Sequence, residues 1–551
     1  MSRMTGARYI AETLKGYGIT HVFFVPSIFK TALEEMGKLN IHRILTHSEK
    51  AAAYMADGYA RASHRPGICL AQSVGAANLA AGLQDAYLGL SPVIAITGQR
   101  PSSHKYRHSY QEIDHTPIFE PMTKLNVPVD NIENLPHLLH QAFREATSGA
   151  PAPVHLDIAG ISGNIITDAK ADMEVIIEEH LRHYPAFRPE PESERVREAV
   201  KVLIQARRPV IVAGGGVTAS QAEKEVVKLA EMLSIPVATS LNGKGIITDD
   251  HPLAVGVVGS YSRWCANRVV SEADLVLFIG SHTGSQVTLD WRIPPTGIPV
   301  IQIDIDPLEL GRNYPTKVSL QGDARVTVQR LIEAAEPIEQ TKDWLQRVQQ
   351  LVKEWNLEVA PVRNSDASPI RPERICKELS ELLPSDALLV SDTGHSGIWT
   401  ATMLNLNSPE QSYIRAAGSL GWAFPAGLGV KCALPERPVI CFTGDGGFWY
   451  HIAELETALR HGINTITVVN NNHSLNQVGR SYVDETGGDE LWQFADINFA
   501  EIAQTIGCFG VQVRKPGDLK GALERAYASD KPAVIDVISD IEAMAPSPWG
   551  P

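Results

Sequence analysis

A strand that ends in Gly444-Asp445-Gly446-Gly447 and is answered, one helix and one strand later, by Asn470-Asn471-Asn472 leaves few folds open to this chain. The apolar run from Val439 to Thr443 stops at the glycines. An Ala/Leu/Glu-rich helical stretch follows, and a β-branched run from Ile463 to Val469 leads into the asparagines. In a parallel β–α–β unit both strand ends emerge on one edge of the sheet, where ligands bind. Asp445 and Asn472 stand 27 residues apart in the chain and are expected to meet in space. A carboxylate and an amide oxygen are hard ligands suited to Mg²⁺, which also takes phosphate oxygens. The glycines let backbone N–H groups approach those phosphates at a helix N-terminus. A lone GDG turn is an ordinary polar turn; the strand, helix and asparagine context is what points to a diphosphate and metal site.

A second element lies far upstream. In Thr46-His-Ser-Glu49-Lys-Ala-Ala-Ala-Tyr-Met-Ala-Asp-Gly58-Tyr59-Ala60-Arg61 a carboxylate opens an alanine-rich segment of good helix propensity, whose small faces permit close packing. Most glutamates in such a place are solvated and structural. Together the two elements resemble the thiamine diphosphate-dependent enzymes of the acetolactate synthase, benzoylformate decarboxylase and 2-hydroxyacyl-CoA lyase superfamily. Those enzymes carry a GDG followed at this spacing by NN, and a glutamate before an Ala-rich helix that ends in GYAR. The resemblance implies that Glu49 hydrogen-bonds N1′ of the cofactor's aminopyrimidine and promotes the imino tautomer that takes the proton from C2. It also implies Mg²⁺ held by Asp445, Asn472 and Ser474, with Gly444, Gly446, Gly447 and Asn472 around the diphosphate.

The same resemblance supplies the remaining candidates. Ser391-Asp-Thr-Gly394-His395-Ser396, after the apolar Ala387-Leu-Leu-Val, resembles the family's D-x-G segment and places Gly394, His395 and Ser396 on the diphosphate; otherwise it reads as a Ser/Gly turn. Ala416-Ala-Gly-Ser419-Leu420-Gly-Trp-Ala-Phe-Pro425 matches the stretch that carries a bulky apolar wedge beneath the bent cofactor. Ser419 and Leu420 are thus expected to contact it, with Leu420 imposing the V shape that brings the 4′-imino group near C2. Gln72-Ser-Val-Gly75-Ala-Ala-Asn78 corresponds to the family's S-G-P-G-A-T-N turn, with changes at Ser73, Val74 and Ala77. Gln111 matches a glutamine that faces the active centre in acetolactate synthases; a surface-loop glutamine reads the same.

Departures narrow the reaction. Val25-Pro26-Ser27-Ile28-Phe29 stands where acetolactate synthases have a Pro-Gly-Gly turn and benzaldehyde lyase has an active-site histidine. Gln72 lies near the place of a histidine of benzoylformate decarboxylase, and the His-His pair of pyruvate decarboxylases is absent. Gly280-Ser-His-Thr-Gly-Ser-Gln286 replaces the arginine-rich segment of flavin-containing acetolactate synthases, which disfavours flavin.

The chain's 551 residues exceed what one core usually holds, so three domains are expected. Apolar runs alternating with helical patterns predict an α/β fold of three doubly wound parallel-sheet domains. These are a pyrimidine-binding domain over 1–165, a central Rossmann-like domain over 190–336 and a diphosphate-binding domain over 369–541. The resemblance makes the first and third similar folds, although no internal sequence repeat is visible. Gly214-Gly215-Gly216 can cradle a diphosphate, but three glycines alone do not identify a site, so FAD, ADP and CoA stay open for the central domain. A net charge of −14 without a basic stripe argues against a nucleic-acid partner. The six cysteines are scattered and most fit buried apolar positions, as in a reducing compartment. The N-terminus lacks a signal-like apolar stretch, and no run of about 18 apolar residues suggests a membrane span, so a cytoplasmic protein is expected.

The reading that results is a thiamine diphosphate- and Mg²⁺-dependent enzyme making or breaking C–C bonds of 2-oxo acids, most simply a carboligase of acetolactate synthase type. Few histidines stand at the usual protonation positions, and an apolar site of Phe29, Leu420 and Trp449 favours a carbon electrophile over a proton. His108, His115, His451 and His473 stay open as acids. Alternatives are a 2-hydroxyacyl-CoA lyase, a non-oxidative 2-oxo acid decarboxylase and a non-catalytic nucleotide-binding protein; Glu49, Asp445 and Asn472 together count against the last. The family binds its cofactor between the pyrimidine domain of one subunit and the diphosphate domain of another, which implies a homodimer or homotetramer. Substrate choice is expected around Phe29, Gln111 and the Gln477 to Trp492 loop.

Overall fold

Short strands buried at every position, such as Val93–Gln99, Val154–Ala159 and Leu275–Ile279, demand helices on both faces of the sheets that contain them. The computed structural model, which describes residues 2–337, 342–477 and 491–551, builds three six-stranded parallel sheets of this kind. In spatial order the first runs His42–Leu45, His21–Phe24, Gly67–Ala71, Val93–Gln99, Val154–Ala159 and Leu125–Val129. The third runs Ser412–Arg415, Leu388–Ser391, Val439–Gly444, Ile466–Asn471, Ala533–Ile538 and Phe509–Val513. Numbered by chain order within each sheet, both read 2-1-3-4-6-5. The central sheet runs Ala254–Val257, Val237–Thr239, Pro209–Ala213, Leu275–Ile279, Val300–Asp304 and Thr316–Gln321, which is the 3-2-1-4-5-6 order of dinucleotide-binding sheets. The first and third units are therefore one topology written in two sequences.

In a 2-1-3-4-6-5 sheet the winding reverses between the first and third strands in chain order, and a crevice opens beyond their carboxyl ends. In the third sheet those ends lead into Asp392–Ser396 and Gly444–Gly447. In the first they lead into Val25–Phe29 and Gln72–Gly75.

The edge strands His42–Leu45 and Ser412–Arg415 occupy equivalent places, and each is followed by a helix rich in small residues, Glu49–Ser63 and Ala423–Ala433. These two helices pack backbone to backbone. A Cβ on Gly58 would lie 2.0 Å from the Ala426 carbonyl oxygen, and one on Gly429 1.9 Å from that of Met55. Arg61 grips Asp57 with two bonds of 2.7 and 2.8 Å, and Trp422 Nε1 donates to the same carboxylate at 2.9 Å. The central unit is clipped to the third by Asp249, whose carboxylate accepts the Leu406 N–H at 2.8 Å and pairs with Arg263 at 2.9 Å. Among the described residues no helix is long and apolar enough to cross a membrane.

Candidate active site

The glycine turn is built by packing on three sides and left open on one. A Cβ on Gly446 would sit 2.5 Å from Leu475 Cδ2, and one on Gly447 2.9 Å from Asp392 Oδ2. Among the described residues a Cβ on Gly444 would meet nothing closer than Ser396 Oγ at 3.5 Å, and one on Gly418 nothing within 4 Å. Gly394 opens the helix His395–Thr402 at φ +66°, with Gln477 Oε1 2.7 Å from where its Cβ would stand. Ser396 is buried and His395 half-buried beside it. Gly444 and Ser396 thus face each other at the switch point of the third sheet, next to the Gly394 turn.

Asp445, the residue after Gly444, is 2% exposed. Its Oδ1 accepts the Gly446 N–H at 2.7 Å and its Oδ2 the Ser474 N–H at 2.9 Å, while Ser474 Oγ donates to Asn472 Oδ1 at 2.8 Å. The structure therefore joins Asp445, Asn472 and Ser474 in one cluster. Burial pushes the Asp445 carboxyl up to about 7 despite those backbone donors. No Lys, Arg or His pairs with it among the described residues. A buried carboxylate with no counter-charge, beside two hard oxygens, has the donor chemistry of a divalent cation site, and Mg²⁺ fits it. The asparagines differ in their work: Asn471 is spent on Asp536 at 2.9 Å, and Asn470 Oδ1 is buried without a partner among the described residues.

Two acids that the sequence reading did not name hold the wedge loop. Asp392, fully buried, accepts from Thr443 Oγ1 at 2.9 Å and from the N–H of Gly421 at 3.1 Å, and so ties the D-x-G turn, the GDG strand and the residue after Leu420 together. Burial raises its carboxyl to about 6. Asp85, from the helix Ala76–Leu88 of the first unit, accepts the N–H groups of Ala417, Gly418 and Ser419 at 2.7, 3.1 and 2.9 Å. Ser419 and Leu420 are half-buried at the tip of this braced loop. Asp392 is the aspartate of the D-x-G segment, whose later residues alone were assigned a role, and Asp85 stands inside a plain helix.

On the first sheet, Glu49 begins its helix behind the cap Ser48, whose Oγ accepts the Ala51 N–H at 3.1 Å. Its Oε2 accepts Asn78 Nδ2 at 2.7 Å. Its Oε1 has no partner among the described residues and stands only 2.4 Å from where a Cβ on Gly75 would be. Ser73 Oγ donates to the Gln111 carbonyl at 2.7 Å, which brings Gln111 to the same turn; its side-chain Oε1 is buried and has no partner among the described residues. Glu49 and Gln111 thus share one edge, and the Asp445 cluster with Leu420 another. No hydrogen bond or ion pair among the described residues joins Glu49 or Gln111 to Asp445, Asn472 or Ser474.

Gly75 supplies a prediction. Gly75→Ala places a methyl group on Glu49 Oε1, and kcat should fall about 100-fold, with no more than about 3 kcal/mol lost from stability. An Ala variant with full activity would show that the carboxylate's position there is immaterial.

Phe29 corrects an expectation. It is fully buried with its ring against Gly163 and so belongs to the core rather than to a surface open to substrate. Trp449 is 37% exposed and packs on Phe499. Of the Gln477 to Trp492 loop, residues 478–490 lie outside the described residues. Among the histidines, His108 is exposed, His115 Nδ1 meets Asp157 at 3.1 Å, and His473 pairs with Asp496 at 3.4 Å. His451 is buried beside Gly421, and burial lowers it to about 4.

Models of three thiamine pyrophosphate enzyme domains match in order: the N-terminal TPP binding domain over 4–118, the central domain over 196–331 and the C-terminal TPP binding domain over 392–537. The chain is 34% identical to a probable acetolactate synthase large subunit of Methanocaldococcus jannaschii, over 99% of this chain and 94% of that one. It is 31% identical to the acetolactate synthase isozyme 1 large subunit of Escherichia coli, over 98% and 95%. To the acetolactate synthase large subunit of Haemophilus influenzae it is 29% identical, again over 98% and 95%. With both sheet edges carrying the residues described and the matches spanning the whole chain, this protein belongs to the thiamine pyrophosphate-dependent enzymes of the acetolactate synthase superfamily.

Proposed function

We propose that the protein is a Mg²⁺- and thiamine diphosphate-dependent carboligase that joins a 2-oxo acid to a second carbonyl compound, in the manner the names of its relatives describe. The observation that carries this reading is the Glu49 carboxylate, held through one oxygen by Asn78 and, among the described residues, bare at the other over Gly75. A protein that only bound the cofactor would have no use for a carboxylate kept free in this way.

Thiamine diphosphate, when bound, supplies the electron sink for breaking a carbon–carbon bond next to a carbonyl. Glu49 Oε1 holds or moves a proton at the aminopyrimidine ring. Asp445, Asn472 and Ser474 present oxygens to Mg²⁺, and the space at Gly444, Gly418 and Ser396 takes the diphosphate. Leu420, braced from both sides by Asp85 and Asp392, gives a fixed apolar support. Gln111 is positioned beside Glu49 to orient the substrate.

Ligation, rather than release of an aldehyde, is supported by the state of His451. It lies next to the Leu420 loop, yet a group lowered to about 4 is neutral at neutral pH and cannot serve as a proton donor there. His451→Gln should therefore leave the shape of the pH–rate profile above pH 6 unchanged; loss of an inflection near neutrality in the variant would make His451 the acid.

The separation of the Glu49 edge from the Asp445 edge, and the exposed Val74 and Tyr110 on one against Tyr450 and Leu491 on the other, support an active homodimer or homotetramer in which two copies complete each site. Incubation with pyruvate, Mg²⁺ and thiamine diphosphate tests the proposal by mass spectrometry. Acetolactate and CO₂ are the expected products. No turnover of pyruvate would overturn the acetolactate reading and bring 2-hydroxyacyl-CoA cleavage forward.

A further inference from the structure

The segment that follows the glycine turn grips the start of the Glu49 helix. Glu454 opens the helix Glu454–His461 of the third unit and is 1% exposed. Its carboxylate accepts the N–H of His47, from the first unit, at 3.0 Å to Oε1 and 3.3 Å to Oε2. Thr457 Oγ1 donates to Oε2 at 2.7 Å. Burial raises this carboxyl, and the hydrogen bonds from Thr457 and from the backbone of His47 and Ser48 oppose the rise. Neighbouring contacts repeat the grip. Glu456 Oε2 meets His47 Nε2 at 2.8 Å, Arg460 Nη2 donates to the Leu45 carbonyl at 2.8 Å, and Lys50 Nζ stands 5.6 Å from the centre of the Tyr450 ring. Residues 45–50 are thus held on both sides of Glu49 by residues 450–460.

His47 lies between the strand His42–Leu45 and the helix Glu49–Ser63, and its N–H has no backbone acceptor among the described residues. A buried N–H without a partner and a buried carboxylate without one are each costly, and here each satisfies the other. Docking of the two units does not require this carboxylate. The packing of Glu49–Ser63 on Ala423–Ala433, with Gly58 against the Ala426 carbonyl, already joins them. A buried charge is a poor source of net stability, so what Glu454 contributes is position.

The position it defines is that of Glu49. Glu49 Oε1 has no partner among the described residues, so its place is set by the backbone behind it, by Asn78 on the other oxygen and by Gly75. Proton transfer needs heavy atoms about 2.6–3.2 Å apart, and a displacement of about 1 Å costs on the order of 100-fold in rate.

We propose that Glu454 is a positioning residue for Glu49: by fixing residues 46–48 it sets where the helix starts and hence where Oε1 stands. The inference rests on the reading of Glu49 as the group that holds or moves a proton.

Two measurements test it, and neither needs a substrate. The first is exchange of the C2 proton of thiamine diphosphate with deuterium oxide, on protein saturated with the cofactor and Mg²⁺. Glu454→Ala should slow it about 30-fold with cofactor affinity within about threefold of wild type. Glu454→Gln, which keeps an acceptor for the His47 N–H, should slow it only about fivefold. The second is amide hydrogen exchange of the unliganded protein, read by mass spectrometry. In Glu454→Ala the amides of residues 46–51 should exchange about 10-fold faster, and those of residues 58–63 at the wild-type rate. The proposal is overturned if Glu49→Gln slows C2 exchange while folded Glu454→Ala does not, if the Gln variant is no better than the Ala variant, or if residues 46–51 stay as protected as in wild type. Failure of the underlying reading looks different: Glu49→Gln would then leave C2 exchange at the wild-type rate, which overturns both. Should Glu454→Ala not fold, the fivefold loss in Glu454→Gln and faster exchange of its residues 46–51 decide the matter.

Discussion

Glu49→Gln should lower kcat about 1,000-fold while leaving thiamine diphosphate affinity within about threefold of wild type. Glutamine has the shape of glutamate, and its amide oxygen still accepts the 2.7 Å bond from Asn78. The cap at Ser48 and the packing of the helix Glu49–Ser63 against Ala423–Ala433 are untouched, so folding is expected to be normal. What the variant lacks is a basic oxygen in the position of Oε1. Steady-state rates with pyruvate and a calorimetric titration of the cofactor separate the two effects. Activity within about tenfold of wild type would refute the role of Glu49 as proton acceptor and leave it a structural cap neighbour.

The second large effect is expected at Asp445. Asp445→Asn removes the only negative charge in the cluster while keeping its size, and Mg²⁺-dependent binding of thiamine diphosphate should weaken at least about 100-fold. Stability of the unliganded protein should change by no more than about 1 kcal/mol, because a buried charge without a counter-ion is lost along with its hydrogen bonds from Gly446 and Ser474. The wild type should also show a characteristic pH dependence. Burial holds the folded carboxyl at about 7, above its ordinary value, so the folded protein takes up a proton here that the unfolded chain does not. This group's contribution to the stability of the unliganded protein is therefore fully present in acid and lost as pH rises through 7. Metal binding has the opposite sign: it needs the ionised form, so affinity should rise about tenfold per pH unit up to 7 and level off above it. Thermal unfolding with and without Mg²⁺ and thiamine diphosphate at pH 6 and pH 8 measures both. A larger cofactor-induced rise in Tm at pH 6 than at pH 8 would contradict the assignment of Asp445 to the metal.

The parts of the site that could be read from the sequence are local. Gly444 to Gly447 and Asn472 belong to one β–α–β unit, whose geometry brings its two strand ends together whatever the rest of the chain does. Glu49 was singled out by the resemblance of the segment ending in Gly58-Tyr59-Ala60-Arg61, and it opens the helix Glu49–Ser63. Asp392 and Asp85 were not, because their partners are remote: Asp392 takes an N–H 29 residues on, and Asp85 takes three N–H groups more than 330 residues on. Asn470, Asn471 and Asn472 are one residue type in a row, and only the pleat of Ile466–Asn471 and the position of Asp536 assign Asn471 to the scaffold. Phe29 looked like a pocket residue until Gly163 appeared against its ring.

By itself the sequence determined that the chain makes parallel sheets flanked by helices, that the glycine turn and the asparagines after it meet on one sheet edge, and that a carboxylate opens a closely packed helix. Apolar periodicity, glycine turns and short-range spacing act within one unit, and a chain cannot evade them. Only the tertiary structure decided that Asp85 crosses from the first unit to brace the wedge loop of the third, and that the buried Arg415 guanidinium meets the two neutral amides of Asn242 and Gln286. Those outcomes depend on which buried polar group meets which across hundreds of residues. Burial makes each such meeting energetically decisive, and nothing in the order of the residues states it.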